Sequence, residues 1–204
     1  MKVNYDLKLQ ETLKSLDNQK PSLLLHVCCA PCSCNVLEEL LPYFHITIYY
    51  SNSNIYPSKE YQRRFKELQR FIKEHHDINI IEKDYEPKEF LKLLEPYKDL
   101  GERSIRCYTC YQKRMADTYH YAHAHNFDYW TTVLSISPHK DSQWINEIGG
   151  SFDQETTKFL FSDFKKRNGY LKSTTLAKQY DLYRQDYCGC VYSYQESQIR
   201  KQEQ

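Results

Sequence analysis

Four short runs along the chain are almost wholly apolar, β-branched or aromatic: Ser22 to Cys28, Ile46 to Tyr50, Ile78 to Glu82 and Tyr129 to Ile136. Length and composition predict a buried strand for each. Between them the period changes. From Pro57 to His75 the apolar positions Tyr61, Phe65, Leu68 and Ile72 fall at helical steps with charges on the other face, and Pro57 suits a first turn. Further helices are expected over Asn35 to Leu41, Lys88 to Leu94 and Cys110 to Ala124. Strands that alternate with helices form parallel βαβ units, so the expected class is α/β with a mostly parallel sheet flanked by helices.

The pattern weakens beyond Pro138, where one more helix is expected over Thr174 to Arg184. Residues 140–204 therefore read as a C-terminal helical or irregular region appended to a single domain spanning 21–204. Leu7, Leu9, Leu13 and Leu16 suggest that residues 1–20 form a capping helix or an arm.

Composition narrows the class. The 204 residues suit one domain, and 40% hydrophobic with 27% charged is ordinary globular usage. The longest apolar stretch, around Leu23 to Val27, is far short of the roughly 20 residues of a membrane helix. The start MKVNYDLKLQET lacks a signal-peptide core, so a cytoplasmic protein without membrane attachment is expected. Five glycines at positions 101, 149, 150, 169 and 189 cannot compose either common glycine-rich phosphate cradle. A formal charge of +1 gives no global basic footprint, although local patches remain open to RNA.

Eight cysteines are too few for a disulfide scaffold, and the cytosol keeps thiols reduced, so metal or redox chemistry leads. Every one of them has another within three residues. HVCCAPCSC puts Cys28 and Cys29 at the C-terminal end of the first strand, with Cys32 and Cys34 just beyond; that edge of an open α/β sheet is where ligands bind. RCYTCYQKR places Cys107 and Cys110 on one face of a helix start, where N–H groups favour thiolates. Together Cys28, Cys29, Cys107 and Cys110 supply four thiolates, the number that closes a tetrahedral zinc site or a [4Fe–4S] cluster. Adjacent cysteines reach different irons more readily than they share one zinc, which favours iron and sulfur. In YCGC, Cys188 and Cys190 flank Gly189 and read as a redox-active pair, or else as further ligands or free thiols.

Ser135, Ser137, His139, Lys140 and Asp141 follow the fourth strand and are expected at the same sheet edge, as substrate-binding or simply loop-forming groups. His26, within the first strand, reads as a core histidine. Nineteen tyrosines and the basic positions Arg63, Arg64, Lys165, Lys166, Arg167, Lys172 and Arg184 suit either an RNA-binding face or solvated surface.

Six motifs in order, HVCCAPCS, NSNIYPSKEYQRR, RCYTCYQKRM, TTVLSISPHKD, FKKRNGYLKS and YRQDYCGCVYS, resemble the cobalamin-independent epoxyqueuosine reductase family, the QueH type. The likeness runs from about Leu24 to Ser193. It implies a Rossmann-like core and an enzyme that converts epoxyqueuosine, at the wobble position of a tRNA anticodon, to queuosine. It also implies a [4Fe–4S] cluster on Cys28, Cys29, Cys107 and Cys110, and a redox-active disulfide of Cys188 with Cys190. An additional iron implied by the likeness would lie by Cys32; Cys34 matches no functional position. The electron donor is unidentified, and a buried acid such as Asp141 would protonate the leaving oxygen.

Two readings compete with this. A zinc-stabilised RNA-binding protein without catalysis would use the same four thiolates, and a thiol–disulfide oxidoreductase would need no metal. A nucleotide-dependent tRNA-modifying enzyme is disfavoured, because CCAPC stands where the glycine-rich loop belongs.

Overall fold

The computed structural model describes residues 3–153 and 155–203. Five strands, β1 (Ser22–His26), β2 (His45–Tyr50), β3 (Asn79–Glu82), β4 (Tyr129–Thr132) and β5 (Lys158–Phe159), form one sheet in the order β3-β2-β1-β4-β5. Every pairing is parallel, as the strand–helix alternation requires. The central strand β1 has Leu23, Leu24, Leu25 and His26 fully buried, which is why it reads as a continuous apolar run rather than an alternating one.

Eight α-helices flank the sheet among the described residues: α1 (Tyr5–Ser15), α2 (Ala30–Leu40), α3 (Ser58–His75), α4 (Pro87–Leu94), α5 (Ile105–Ala124), α6 (Ser142–Ser151), α7 (Gly169–Gln179) and α8 (Val191–Gln202). None is long and apolar enough to cross a membrane. The α/β class with a parallel sheet stands as expected, with instructive differences at the ends of elements. The fourth apolar run ends as a strand at Thr132: its hydroxyl accepts the Leu134 N–H at 3.2 Å and turns Val133–Ile136 into a 3₁₀ helix. Helix α2 begins five residues before its expected start, because Pro31 occupies the first turn, where its missing N–H costs nothing.

The region after residue 140 extends the sheet and its helical layer. It supplies β5, whose Leu160 N–H donates to the Trp130 carbonyl at 2.9 Å, and α7, which lies against α2. A methyl group at Gly149 would stand 2.2 Å from the Phe159 ring, so glycine is what lets α6 approach β5. Helix α1 buries Leu9, Leu13 and Leu16, leaves Leu7 exposed, and stacks Tyr5 on Phe161.

In this strand order the chain direction of the crossovers reverses between β1 and β4. The crevice beyond the carboxyl ends of those two strands is the topological switch point where open α/β sheets bind ligands. The first cysteine cluster follows β1, and the segment 133–140 follows β4.

Candidate metal centre

Beyond β1 the chain runs one more pairing step, Val27 N–H to the Tyr49 carbonyl at 3.1 Å, and then presents Cys28 and Cys29. Cys29 is the N-cap of α2, in extended conformation, and Cys32 lies in the first turn. This turn folds three sulfurs together: Cys28 and Cys29 are 3.8 Å apart, Cys29 and Cys32 2.7 Å, and all three lie within 4.8 Å of one another. Three sulfurs at such distances cannot all be thiolates without a cation. Hydrogen bonds from Cys29 and Cys32, aided by the charges of Lys140 and Arg114, hold Cys28 well below the usual thiol range. The thiol of Cys29 is pushed up to about 12 and that of Cys32 well above its ordinary value, first by their bonds to Cys28 and then by burial. Cys28 is thus the sulfur of the three most disposed to the thiolate form, and a soft cation would displace the protons that its two neighbours hold.

Helix α5 brings in the second pair. Cys107 sits in its first turn and lines the same cavity as Cys28 and Cys32; Cys110 lies one turn on, buried, its thiol pushed up to about 12 by that burial. Burial raises Cys107 as well, and the neighbouring Cys188 and Cys190 push both thiols further in the same direction. The YCGC segment supplies these last two. Cys188 is exposed and Cys190 is the N-cap of α8, where its sulfur accepts the Ser193 N–H at 3.4 Å. Both are separate thiols here.

The cavity so formed has a volume of about 390 Å³ and is lined by Cys28, Cys32, Cys107, Cys188 and Cys190. Seven of the eight cysteines belong to this region. The eighth, Cys34, is buried, donates to the Ala30 carbonyl at 3.3 Å and is pushed up to about 12, mainly by burial. The donor set suits zinc or an iron–sulfur group, since both take thiolates.

Four side chains that sequence reasoning did not single out for this role organise the centre. The Gln185 amide donates to the Cys29 sulfur at 3.2 Å and ties the C-terminal segment to the first cluster. Arg64, 2% exposed and paired with Glu60 at 2.7 Å, donates to the Cys188 carbonyl at 3.1 Å and the Tyr187 carbonyl at 3.3 Å. Arg106, 3% exposed, lines the cavity beneath Tyr192, its guanidinium 4.5 Å from that ring. Arg114, buried on α5, exerts its positive charge on both Cys110 and Cys28 and favours their thiolate forms.

The segment after β4 divides. Ser137, His139 and Lys140 line the cavity as expected. Burial opposes the charge on Lys140, but the nearby sulfurs of Cys188, Cys28 and Cys32 outweigh it and favour the ammonium form. Ser135 is buried and accepts the Phe164 N–H at 3.3 Å. Asp141 is exposed and caps α6, accepting the Gln143 N–H at 2.8 Å, so it is not a buried acid. The basic stretches also divide. Arg64 is buried, Arg63 covers the Tyr183 ring at 3.4 Å, Lys165 pairs with Asp163, and Arg167 pairs with Asp6 and Glu39; of the seven, Arg184 alone lines the cavity.

Comparison with known proteins decides the family. The model of the family described as epoxyqueuosine reductase QueH matches residues 23–196. This chain belongs to the epoxyqueuosine reductase QueH family. It is 42% identical over 200 residues to the epoxyqueuosine reductase QueH of Streptococcus pyogenes serotype M1, covering 94% of this chain and 78% of that one. To the Staphylococcus epidermidis protein of the same name it is 38% identical over 205 residues, with 94% and 85% covered. For the Thermotoga maritima one the figures are 33% over 179 residues, 84% and 90%. The span matched to the QueH family contains all eight cysteines and every residue lining the cavity except Arg200.

Proposed function

We propose that this chain reduces epoxyqueuosine in tRNA to queuosine, and that the thiol-lined cavity at the sheet's switch point is where it does so. The observation that carries the reading is the convergence of five cysteines, from three separate sequence clusters, on one cavity in a chain of this family. Removing the oxygen of an epoxide to leave an alkene consumes two electrons and two protons and releases water. Oxidation of the Cys188 and Cys190 dithiol to a disulfide releases two electrons and two protons, so the balance closes within the cavity. The residues fit a [4Fe–4S] cluster held by Cys28, Cys29, Cys107 and Cys110, with Cys32 next to it for an additional iron; such a group supplies single-electron transfer and a Lewis acid.

The chain's own groups provide the rest. Lys140 holds a proton at Nζ inside the cavity for the departing oxygen. Arg103, Arg184 and Arg200 outnumber Glu102 and Asp186 along the lining, which suits a polyanionic substrate. A volume of about 390 Å³ accepts one nucleoside and no duplex, so the target base must leave its stack to enter. Tyr170 and Tyr187 line the cavity and offer rings for it to stack on. A tRNA substrate agrees with the expected cytoplasmic setting; the electron donor has no counterpart among these residues.

The test is anaerobic purification with iron, sulfide and zinc analysis, then incubation with epoxyqueuosine-bearing tRNA and a chemical reductant, read by nucleoside mass spectrometry. A brown protein with about four irons and four sulfides that yields queuosine is expected. A colourless protein that holds one zinc, refuses iron and leaves the tRNA unchanged would overturn the reading in favour of a structural thiolate site.

A further inference from the structure

The buried face of α5 carries a line of residues four apart: Arg106, Cys110, Arg114, Thr118 and Ala122. Residues at this spacing stand above one another on a helix, so Cys110 has an arginine one turn before it and another one turn after. The second is the unusual one. Arg114 is 2% exposed, and its side-chain partners are neutral: Nη2 donates to Asn52 Oδ1 at 2.6 Å and lies 3.4 Å from His26 Nε2. Burial, reinforced by the charge of Arg114 itself, depresses His26 to about 3, so the imidazole is uncharged at neutral pH.

The other buried arginines are served differently. Arg64 has Glu60 at 2.7 Å and Arg106 has Glu196 at 3.5 Å. Among the described residues no carboxylate pairs with Arg114, and its Nε has no hydrogen-bond partner at all. An uncompensated buried guanidinium costs several kcal/mol, and it cannot shed its proton. The groups nearby that can become anions are sulfurs: Cys110, one turn earlier on the same buried face of α5, and Cys28, both of which favour the guanidinium charge. Asn52 fixes the guanidinium with respect to that second sulfur, because its Nδ2 donates to the carbonyl of Val27, the residue before Cys28, at 2.8 Å.

We propose that Arg114 is the buried counter-charge of the thiolate centre, a positioning residue that joins the Cys28 loop to α5 and sets the reduction potential of the metal group those thiolates hold. The inference rests on the iron–sulfur reading given above. A fixed positive charge favours whichever state of such a group is more negative, which is the reduced one, and so raises its potential. A carboxylate partner would cancel this effect; two neutral partners preserve it.

The test uses the full-length, iron-loaded protein in four forms: unmodified, Arg114→Gln, Arg114→Lys and Asn52→Asp. Fold is followed by circular dichroism, loading by iron and sulfide analysis, and potential by a redox titration monitored by electron paramagnetic resonance. Arg114→Gln should load as fully as the unmodified chain while its reduced-to-oxidised ratio at a fixed applied potential falls about tenfold, equivalent to 59 mV for a one-electron couple. Arg114→Lys, which keeps the charge, should recover most of that ratio. Asn52→Asp should move it in the same direction as Arg114→Gln, with the arginine still in place. A fully loaded Arg114→Gln at an unchanged potential overturns the proposal, as do equal shifts for the lysine and glutamine variants. Loss of the fold in both Arg114→Gln and Asn52→Asp would make the arginine structural and overturn it too. Failure of the unmodified chain to take up iron and sulfide is a separate result, and it would remove the cluster reading together with this inference.

Discussion

Gly189 stands between the two cysteines of the YCGC segment with φ +135°, a conformation that L side chains rarely adopt. Gly189→Ala would impose that backbone on a residue with a Cβ, at a cost of about 1–3 kcal/mol. The added methyl would also stand 3.1 Å from Arg64 Nη1 and 3.3 Å from Ile55 Cγ1. Ile55 is buried and cannot give way. Arg64 Nη1 is the atom that holds the Cys188 carbonyl at 3.1 Å, and displacing it weakens a charge-assisted hydrogen bond, about 1.5–3 kcal/mol if it is lost. Relaxation absorbs part of each term, so the expected loss is about 3–5 kcal/mol. In a domain of this size each kcal/mol lowers Tm by about 2–4 °C, which gives a drop of about 6–20 °C. Thermal melts followed by circular dichroism, on metal-free protein under reducing conditions, measure it without interference from metal binding. A Tm within about 2 °C of the unmodified chain would refute the reasoning, because the segment would then accommodate a side chain and Arg64 would not clamp it.

Cys107→Ala should lose iron and turnover together, whereas Cys190→Ala should keep its iron and lose turnover alone; full iron in the first or full activity in the second would remove that residue from its role. Lys140→Met removes the ammonium of the cavity and should slow turnover about 10²-fold with iron content unchanged, measured by single-turnover nucleoside analysis. Asp128 accepts both the N–H and the hydroxyl of Ser22, at 2.8 and 2.7 Å, and these bonds hold its carboxyl below the ordinary value. Because the folded pKa is the lower one, this stabilisation is complete above the ordinary carboxylate range and fades as pH falls through the depressed value. Asp128→Ala should therefore cost up to about 1 kcal/mol at pH 7, limited by solvent screening, and much less near pH 2. Urea midpoints of both proteins at the two pH values check it, and a difference that does not shrink with acid would contradict the assignment.

Which features the sequence disclosed follows from what each depends on. Buried parallel strands must be apolar along their whole length, so Leu23, Leu24 and Leu25 announce β1 without help from the fold. Strand β5 has two residues, too few for any period, and exists because Trp130 and Asp128 offer carbonyls to Leu160 and Lys158. The cysteines were legible because thiol chemistry resides in the residue type and its clustering. The arginines were not. Arg64 and Arg114 lie on helices among other polar residues, where a charge is ordinarily solvated, and nothing local marks their faces as inward. Their meaning depends on Glu60, Asn52 and the sulfurs, brought near by segments as much as 124 residues away in the case of Cys188. Asp141 erred in the opposite sense: an acid beside a presumed site is also a good N-cap, and helix α6, invisible in the pattern, claimed it.

The formal charge of +1 conceals how unevenly charge is distributed. Arg64, Arg106 and Arg114 are all buried, and Lys140 lines the cavity together with Arg106. Two carboxylates answer Arg64 and Arg106; none answers Arg114 or Lys140 among the described residues. A region with that surplus of buried positive charge is unfavourable unless anions occupy it, and Coulomb terms grow as water is excluded. Fully deprotonated thiolates around a metal supply such anions, and a phosphodiester at the mouth would supply one more. The same cations thus stabilise the centre and attract the substrate. Loading the centre should in turn lower the positive potential that the RNA meets at the entrance, so the metal-free protein is expected to bind tRNA at least as well as the loaded one while being unable to turn it over.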